Sequence, residues 1–375
     1  MREKERFLDT LQFKPVDRVP FMELGAWNQT IARWVGEGLP ESAANFRFME
    51  GNAYFGLEAY ESAPIDGVGP HPPFEERTLS EDDRYIKFTD TMGRTRLALK
   101  EGTVDGQRTS MDSYVDFPVK NRRDFLNMKK RYEESESVRY PKDWEEIKER
   151  LNKSTRPITL LNPLDGTFGC YSMLRNWMGT ENLSYLFYDD RPLIMECLDF
   201  LTDFFIRVVE KAVTEVPFDF YMIHEDMAGK GGPLVSPQLF REIFTPFYRR
   251  LIDSLKSHGV KLILVDTDGD FEALIPAFLE AGVDGFSPIE RASNMDPIRL
   301  RKQYGNAFSM LGGIDKRVLA KGKKKITEEI ERNVLPLIEK GGYIPMVDHA
   351  VPPDVSLDHF KYYLELKWKA IDHAW

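Results

Sequence analysis

The chain has 375 residues, of which 42% are hydrophobic, and a formal net charge of −10. This length fits one large domain or two modest ones, and the apolar content is enough for a full core. The negative charge argues against nucleic acid as the main partner, because phosphate binding requires clustered Lys and Arg.

The first elements predicted along the chain are an amphipathic helix over residues 3–12, a strand from Arg18 to Gly25 and a helix over 28–38. Residues 50–115 differ in character, because they are rich in Gly, Pro and Thr and contain short alternating runs with a turn at Met92-Gly-Arg. This pattern predicts a β-hairpin insertion between early units of the fold.

Residues 121–155 are highly charged, and their helical pattern is typical of a surface. The regular part of the chain begins with a strand at Ile158-Thr-Leu-Leu161. Further helices are predicted over residues 168–178, 181–188, 191–215, 236–258 and 360–370.

Five apolar runs in the remaining sequence each end on an acid, a histidine or a glycine, and a helix-period segment follows each one. These runs lie at residues 218–226, 261–270, 283–290, 307–315 and 343–349. Their alternation with helices indicates parallel β/α units. We therefore predict an α/β fold, a (β/α)₈ TIM barrel with an N-terminal helical extension and a β-hairpin insertion, whose active site lies where the strands end.

The cysteines and the N-terminal sequence bear on location. Cys170 and Cys197 are too few for a disulfide framework or a multi-cysteine zinc site, and we expect them to pack in helices of a protein in the reducing cytoplasm. The segment MREKERFLDTLQ has no apolar core of the signal-peptide kind. No stretch approaches 18 apolar residues, so we expect no membrane contact.

The strand ends supply the first site candidates. Asp266 and Asp268 alternate, so both side chains can face the barrel mouth, whereas Asp270 stands where an acid caps the next helix. His224 and Glu225 are adjacent, so in a strand only one of them faces the pocket. We favour Glu225 as ligand or general acid, with His224 either packed in the core or supporting the site residues from behind.

Other candidates have competing structural roles. His349 ends the last run and is either a site residue or a hydrogen-bonded structural residue. Glu290 and Asp165 end other runs and are candidate substrate-binding residues; for Glu290, orienting a partner group or capping the following segment are the alternatives. Phe21 and Trp27 either form an apolar wall for substrate or pack in the core. The segment 228–233 lacks P-loop spacing, so we expect a loop at the barrel mouth.

Four segments then occur in a recognisable order: Glu5-Arg-Phe-Leu with Pro15-Val-Asp-Arg-Val-Pro20, Gly229–Arg250, Leu311-Gly-Gly-Ile-Asp315 and His349–Asp354. Together they resemble the uroporphyrinogen decarboxylase superfamily, which includes the decarboxylase of haem biosynthesis and many corrinoid-linked methyltransferases. The resemblance covers essentially the whole length and implies a single barrel domain over residues 1–375.

The resemblance also separates the branches of that superfamily. The true decarboxylases carry Met-Arg-Gln-Ala-Gly-Arg-Tyr after the first strand, and its arginines hold substrate carboxylates. Here the same place reads Phe21-Met-Glu-Leu-Gly-Ala-Trp-Asn28, with no arginine before Arg33. A polyanionic porphyrinogen would meet Glu23 there. The chain is therefore closer to the methyltransferase branch.

That branch often binds zinc through His-x-Cys-Gly and a late Cys. The resemblance places Asp266-Thr-Asp268-Gly on the first motif and His349 on the late Cys. With Glu225 nearby, it implies an oxygen-rich metal set of Asp266, Asp268, His349 and Glu225 that can take zinc with an open position for substrate. Glu225, Asp268 and His349 are also the expected catalytic residues.

The function implied by the resemblance is methyl transfer from a small methylated substrate, an aryl methyl ether, alcohol or amine, to a corrinoid protein. The corrinoid would come from that partner, because the chain contains no Asp-x-His-x-x-Gly motif. A homodimer is compatible with the sequence. Two alternatives stay open: a cofactor-free decarboxylase of the uroporphyrinogen type, and a non-catalytic barrel that binds a ligand or a corrinoid.

Overall fold

A curled parallel sheet organises the part of the chain that the computed structural model describes, which is residues 1–47, 49–104, 107–108, 112–132, 134–162 and 167–373. The strands are β1 (Glu61–Ser62), β2 (Arg77–Glu81), β3 (Tyr85–Thr89), β4 (Thr95–Leu99), β5 (Thr103–Val104), β6 (Gln107–Arg108), β7 (Ser113–Asp116), β8 (Ile158–Thr159), β9 (Phe220–His224), β10 (Ala228–Gly229), β11 (Gly232–Pro233), β12 (Leu262–Asp266), β13 (Gly285–Ser287), β14 (Ser309–Ile314) and β15 (Tyr343–Val347). The main sheet runs in the order β1-β8-β9-β12-β13-β14-β15, with every neighbouring pair parallel.

Helices connect most of these strands, as a β/α architecture requires. The α-helices are α1 (Glu3–Leu11), α2 (Asn28–Gly36), α3 (Arg122–Lys129), α4 (Glu136–Arg139), α5 (Trp144–Lys153), α6 (Cys170–Met178), α7 (Thr180–Asp189), α8 (Arg191–Glu215), α9 (Pro237–Ile243), α10 (Thr245–Ser257), α11 (Ile275–Ala281), α12 (Pro297–Tyr304), α13 (Lys316–Leu319), α14 (Lys323–Glu329), α15 (Leu335–Ile338) and α16 (Leu357–His373). A π-helical turn, Ile330–Val334, joins α14 to α15. None of the described helices combines the length and apolar character that a membrane span requires.

Side chains of each strand alternate between two buried clusters. Phe220 and Met222 of β9 belong to a small cluster inside the curl of the sheet, whereas Tyr221 and Ile223 belong to the larger cluster shared with the helices. In β12, Leu262 and Leu264 likewise face inward. Because side chains alternate along a strand, the next inward positions fall at the last residues of β9 and β12.

Helix α1 covers the end of the sheet where the strands begin. Phe7, Leu8 and Leu11 join the inner cluster, and the backbone N–H of Gly342, just before β15, donates to the carbonyl of Thr10. The inner core is thus closed at this end, which leaves the opposite end, where the strands finish, for a site.

The predicted strand from Arg18 to Gly25 is wrong, so seven strands rather than eight form the main sheet in the described residues. The backbone in this segment bonds instead to the following loops: Phe21 and Leu24 carbonyls accept from Glu58 and Met49. A single parallel bridge, Ala26 to Val351, links the segment to the far side of the sheet.

The β-rich region contains a four-stranded antiparallel sheet in the order β2-β3-β4-β7, with the predicted turn at Met92-Gly-Arg between β3 and β4. The predicted boundary at residue 50 was too early, because Glu61–Ser62 pairs with Ile158–Thr159 in the main sheet. A two-residue strand leaves no apolar run that would identify it from sequence.

Residues 236–258 were predicted as one helix, but they form two helices, α9 and α10, with Phe244 between them. Pro246 lies in the first turn of α10, where a missing N–H is tolerated, but it cannot continue α9. The prediction for residues 191–215 agrees with α8 at both ends.

Candidate active site at the strand ends

A cavity of about 350 Å³ lies at the ends of the strands, opposite α1. Its lining residues lie at or just after the ends of β9, β12, β13 and β15, or in α2 and the segments on either side of it, and they are Leu24, Ala26, Trp27, Asn28, Arg47, His224, Asp226, Asp266, Asp268, Pro288, His349 and Ala350. Apolar side chains share this wall with two histidines and three aspartates, a composition suited to a small ligand that is oriented by few polar groups.

His224 and Asp266 are the last residues of two adjacent parallel strands and are paired in register. The Nδ1 atom of His224 lies 3.2 Å from Oδ2 of Asp266, and its Nε2 lies 3.7 Å from Oδ2 of Asp226. Burial by itself would lower the pKa of His224, but the hydrogen bond and charge of Asp266, with the charges of Asp226 and Glu225, raise that pKa to about 9. This imidazole is therefore protonated at neutral pH.

His349 and Asp268 form a second pair, with Nε2 and Oδ2 3.7 Å apart. The Nδ1 atom of His349 accepts the backbone N–H of Ala350 at 2.8 Å, which orients the ring and favours a proton on Nε2. Asp268 raises the pKa of His349. The indole of Trp27 stacks on this imidazole, with ring centroids 5.8 Å apart and planes 18° apart.

Glu225, predicted as a metal ligand and general acid, points away from the cavity. Its carboxylate accepts the N–H groups of Tyr171 and Ser172 and the Ser172 hydroxyl, and therefore caps α6. Burial raises the pKa of Glu225 to about 7 against these hydrogen bonds. The predicted alternation of His224 and Glu225 is correct, but the assignment of their faces was wrong.

The approach of α6 to β9 depends on a glycine. A Cβ atom at Gly169, the residue before α6, would lie 2.0 Å from the carbonyl oxygen of His224. The helix in turn holds the cavity wall, because Arg175 donates to the carbonyl and carboxylate of Asp226, and Ser172 Oγ accepts the Asp226 N–H.

The remaining predicted residues divide between wall and support. Trp27 lines the cavity, where it can form an apolar wall for substrate, the first of its two expected roles. Phe21 is instead buried against Trp368. Glu290 does not line the cavity and bonds to neighbouring loops. Asp165 lies outside the described residues.

Asp270 and Glu23 both have structural roles. Asp270 accepts the N–H of Glu272, as expected of a capping acid. Glu23 does not face a substrate, because it is fully buried and bonds to Lys367, Tyr363 and the N–H of Val347.

Sequence reasoning missed Asp226, Arg47 and Asn28 and placed His224 in the packing. Among the described lining residues, Arg47 is the permanently charged cation. It belongs to an irregular segment with no strand signal, so no local pattern connects it to the site. Asp226 and His224 flank Glu225. If His224 had been assigned to the inner face of β9, both His224 and Asp226 would have been predicted as cavity residues.

The predicted metal set does not converge. No three His, Cys, Asp or Glu side chains in the described part of the chain lie close enough together to hold a metal ion. Asp266 is bonded to His224, and Glu225 belongs to the cap of α6. Zinc therefore stays a prediction. The observed arrangement instead supplies two imidazoles beside carboxylates, which is suited to proton transfer.

The sequence matches a known protein family over more than half of its length. Residues 113–367 match the sequence model of a family described as uroporphyrinogen decarboxylase (URO-D). No curated protein matches the chain.

One solved structure is similar to this chain over nearly its whole length. A methyltransferase from Methanosarcina mazei has a TM-score of 0.59 and 16% identity, over 98% of this chain and 99% of that one. This likeness shows a shared fold. A B12-independent methionine synthase from Shewanella sp. W3-18-1 has a TM-score of only 0.34 and 13% identity, over 81% of this chain and 76% of that one.

Proposed function

Because the chain belongs to the uroporphyrinogen decarboxylase family, we propose that its cavity is the active site of a methyltransferase. The substrate is a small methylated molecule, such as an aryl methyl ether, alcohol or amine, and the acceptor is a corrinoid carried by a partner protein. A cavity of about 350 Å³ with an apolar wall and acid–base groups supports a substrate of this size.

The pairing of His224 with Asp266 carries the proposal. An alkoxide or phenoxide is a poor leaving group unless its developing charge is neutralised. The Nε2 atom of His224 is too far from Asp226 for a hydrogen bond, at 3.7 Å, so its proton is available to a ligand. Asp266 holds the opposite ring nitrogen and stabilises the imidazolium before the proton is transferred.

For a methyl ether, the proposed step cleaves the bond between the methyl carbon and the ether oxygen. A corrinoid bound to the partner protein would supply the nucleophile that takes the methyl group. The methyl carbon loses its bond to oxygen, and the electron pair of that bond stays on oxygen. His224 donates its Nε2 proton to this oxygen, so the demethylated product leaves as a neutral hydroxyl compound, and the imidazole then regains a proton from solvent.

Trp27 and His349 position the substrate in this scheme. The indole and the neighbouring side chains of Leu24 and Pro288 provide apolar contact for a ring or methyl group. The Nε2 atom of His349, held toward Asp268, presents a second donor to the substrate heteroatom.

We also infer that residues 18–26 close the curled sheet in place of an eighth strand. The support for this closure is the Ala26–Val351 bridge, together with the hydrogen bond from the Val351 N–H to the Gly25 carbonyl. We further propose that the reaction takes place in the cytoplasm, in keeping with two buried, unpaired cysteines.

The charge of the cavity disfavours decarboxylation of a polyanionic porphyrinogen. Asp226, Asp266 and Asp268 line it, against the guanidinium of Arg47 and the imidazolium of His224, so its described charged groups sum to a negative charge. Carboxylates placed near these aspartates would raise the free energy of the complex by like-charge repulsion.

The test is a single-turnover assay with free cob(I)alamin as methyl acceptor and a panel of aryl methyl ethers, methylated alcohols and methylated amines. We expect methylcobalamin to form with at least one class and to be lost in His224→Gln. His258→Gln is the matched control, because His258 is exposed and bonds to Ser254 at the end of α10. Tight binding of a panel member without turnover in the wild type would instead favour a non-catalytic, ligand-binding barrel.

A further inference from the structure

Two carboxylates outside the cavity, those of Glu290 and Asp348, join four consecutive loops at the strand ends. Glu290 follows β13. Its Oε2 accepts the backbone N–H of Gly269 at 3.2 Å and the hydroxyl of Ser293 at 2.8 Å, and its Oε1 lies 3.3 Å from Nζ of Lys316. One side chain thereby holds the loop after β12 and the first residue of α13.

Asp348 completes the connection from the loop after β15. Its carboxylate is fully buried and accepts two backbone N–H groups, from Arg291 at 2.8 Å and from Lys316 at 3.0 Å. The Nζ atom of Lys316 lies 4.0 Å from Asp348 and so stands between the two carboxylates. We call Glu290, Lys316 and Asp348 the loop clamp.

The clamp touches the neighbours of cavity residues rather than the cavity. Gly269, whose N–H Glu290 binds, directly follows Asp268, and Asp348 directly precedes His349. Charge-assisted hydrogen bonds to backbone N–H groups fix main-chain position strongly in a buried setting. Movement of either anchor therefore changes the 3.7 Å separation of Asp268 and His349 and the stacking of Trp27.

We propose that Glu290 and Asp348 are positioning residues that hold His349 against Asp268 and Trp27. This assigns Glu290 an orienting role instead of the predicted substrate contact, and it gives Asp348 a role that no sequence pattern indicated. The catalytic meaning of the geometry rests on the proposed function, whereas the positioning itself does not.

The positioning role can be tested without substrate, by measuring the environment of the Trp27 indole. The protein has six tryptophans, so 5-fluorotryptophan labelling gives a ¹⁹F NMR spectrum in which Trp27→Phe identifies the Trp27 resonance. We expect Glu290→Gln and Asp348→Asn to shift the Trp27 signal in the same direction as His349→Ala, and to leave the signals of buried Trp34, Trp144 and Trp177 in place.

Glu272→Gln is the matched control, because Glu272 also follows β12 but pairs with Arg299 outside the clamp. It should leave the Trp27 signal unchanged. If Asp348→Asn does not fold, Lys316→Gln removes the shared cation and should give a smaller shift of the same sign. An unchanged Trp27 signal in folded Glu290→Gln, or equal shifts of all tryptophans, would overturn the positioning role.

Once a substrate is known, Glu290→Gln should lower kcat, on the order of 100-fold for a displacement near 1 Å, with a smaller change in KM. Absence of methyl transfer in the wild type alongside the expected Trp27 shifts would count against the proposed function and leave the positioning intact. Normal kcat in a variant with a shifted Trp27 signal would contradict the catalytic importance of the clamp.

Discussion

His224 and Asp266 end adjacent parallel strands at the same register position, and their side chains meet at 3.2 Å on the inner face of the sheet. Parallel pairing places residues at the ends of neighbouring strands side by side, so no loop has to fold back to form the pair. The pair is therefore built on two hydrogen-bonded strands rather than on loops, which suits a group that must donate a proton in a fixed direction.

Replacement of Asp266 by Asn should move the alkaline limb of the methyl-transfer rate to lower pH. An acid works in its protonated form, so the wild-type rate should be full below the pKa of His224, about 9, and fall above it. Without the carboxylate that raises this pKa, His224 loses its proton at lower pH. A pH–rate profile of single turnovers checks this, and an unmoved alkaline limb would identify another acid.

Loss of Glu225 should chiefly lower stability, because its carboxylate caps α6 and contributes only the last-named of the charges that raise the pKa of His224. Glu225→Ala leaves two buried N–H groups at the start of α6 and the Ser172 hydroxyl without their acceptor. Unsatisfied buried donors cost about 1–3 kcal/mol each in unfolding free energy. Urea denaturation measures the change, with Glu328→Ala on the surface of α14 as control. A variant as stable as wild type would show that α6 does not need this cap.

The buried pair of Lys367 and Glu23 should be strongly coupled. Lys367→Met leaves the Glu23 carboxylate buried without its counter-ion, and breaking such a pair costs about 3–5 kcal/mol. The double variant Lys367→Met, Glu23→Gln should recover part of this loss, because no net charge is then buried. Thermal unfolding of the four proteins in the cycle tests this, and additive losses would contradict the coupling.

Trp27→Ala should weaken binding of an aromatic substrate without lowering stability. The indole is 43% exposed and stacks on His349 at the cavity wall, so its removal opens no core cavity. A ring contact of this kind contributes about 0.5–1.5 kcal/mol, or about tenfold in affinity at most. Calorimetric titration measures it, with Trp368→Ala as a comparison at a partly exposed tryptophan that does not line the cavity. Equal affinities for wild type and Trp27→Ala would remove Trp27 from the site.

Metal content tests the zinc set predicted from the family motif. If His224 is the acid, chelator-treated protein should keep methyl transfer to free cob(I)alamin, because the proton comes from a side chain. Elemental analysis of tag-free protein, Asp266→Ala and His349→Ala provides the measurement. Near-stoichiometric zinc that is lost in both variants, with activity restored by added zinc, would replace the His224 mechanism by a metal-based one.

Much of the fold followed from local pattern. The alternation of apolar runs with amphipathic segments predicted the parallel β/α order, and α8 was located at its observed ends. The short strand β1 and the irregular path of residues 18–26 were not predictable, because β1 has only two residues and pairs with β8, and residues 18–26 bond to loops. Pro246 was visible in the sequence, yet only the break at Phe244 shows that one helical pattern forms two helices.

The sequence by itself determined that polar residues stand at the strand ends and that His224 and Glu225 face opposite ways. Only the tertiary structure decided which of the two faces the cavity, because β9 is buried on both sides and its hydrophobic pattern looks the same from each. The curl of the sheet and the packing of α6 break that symmetry: they direct Glu225 to a helix cap and leave His224 beside Asp266. The orientations of the Glu225 and His224 side chains thus depend on contacts between residues more than forty positions apart.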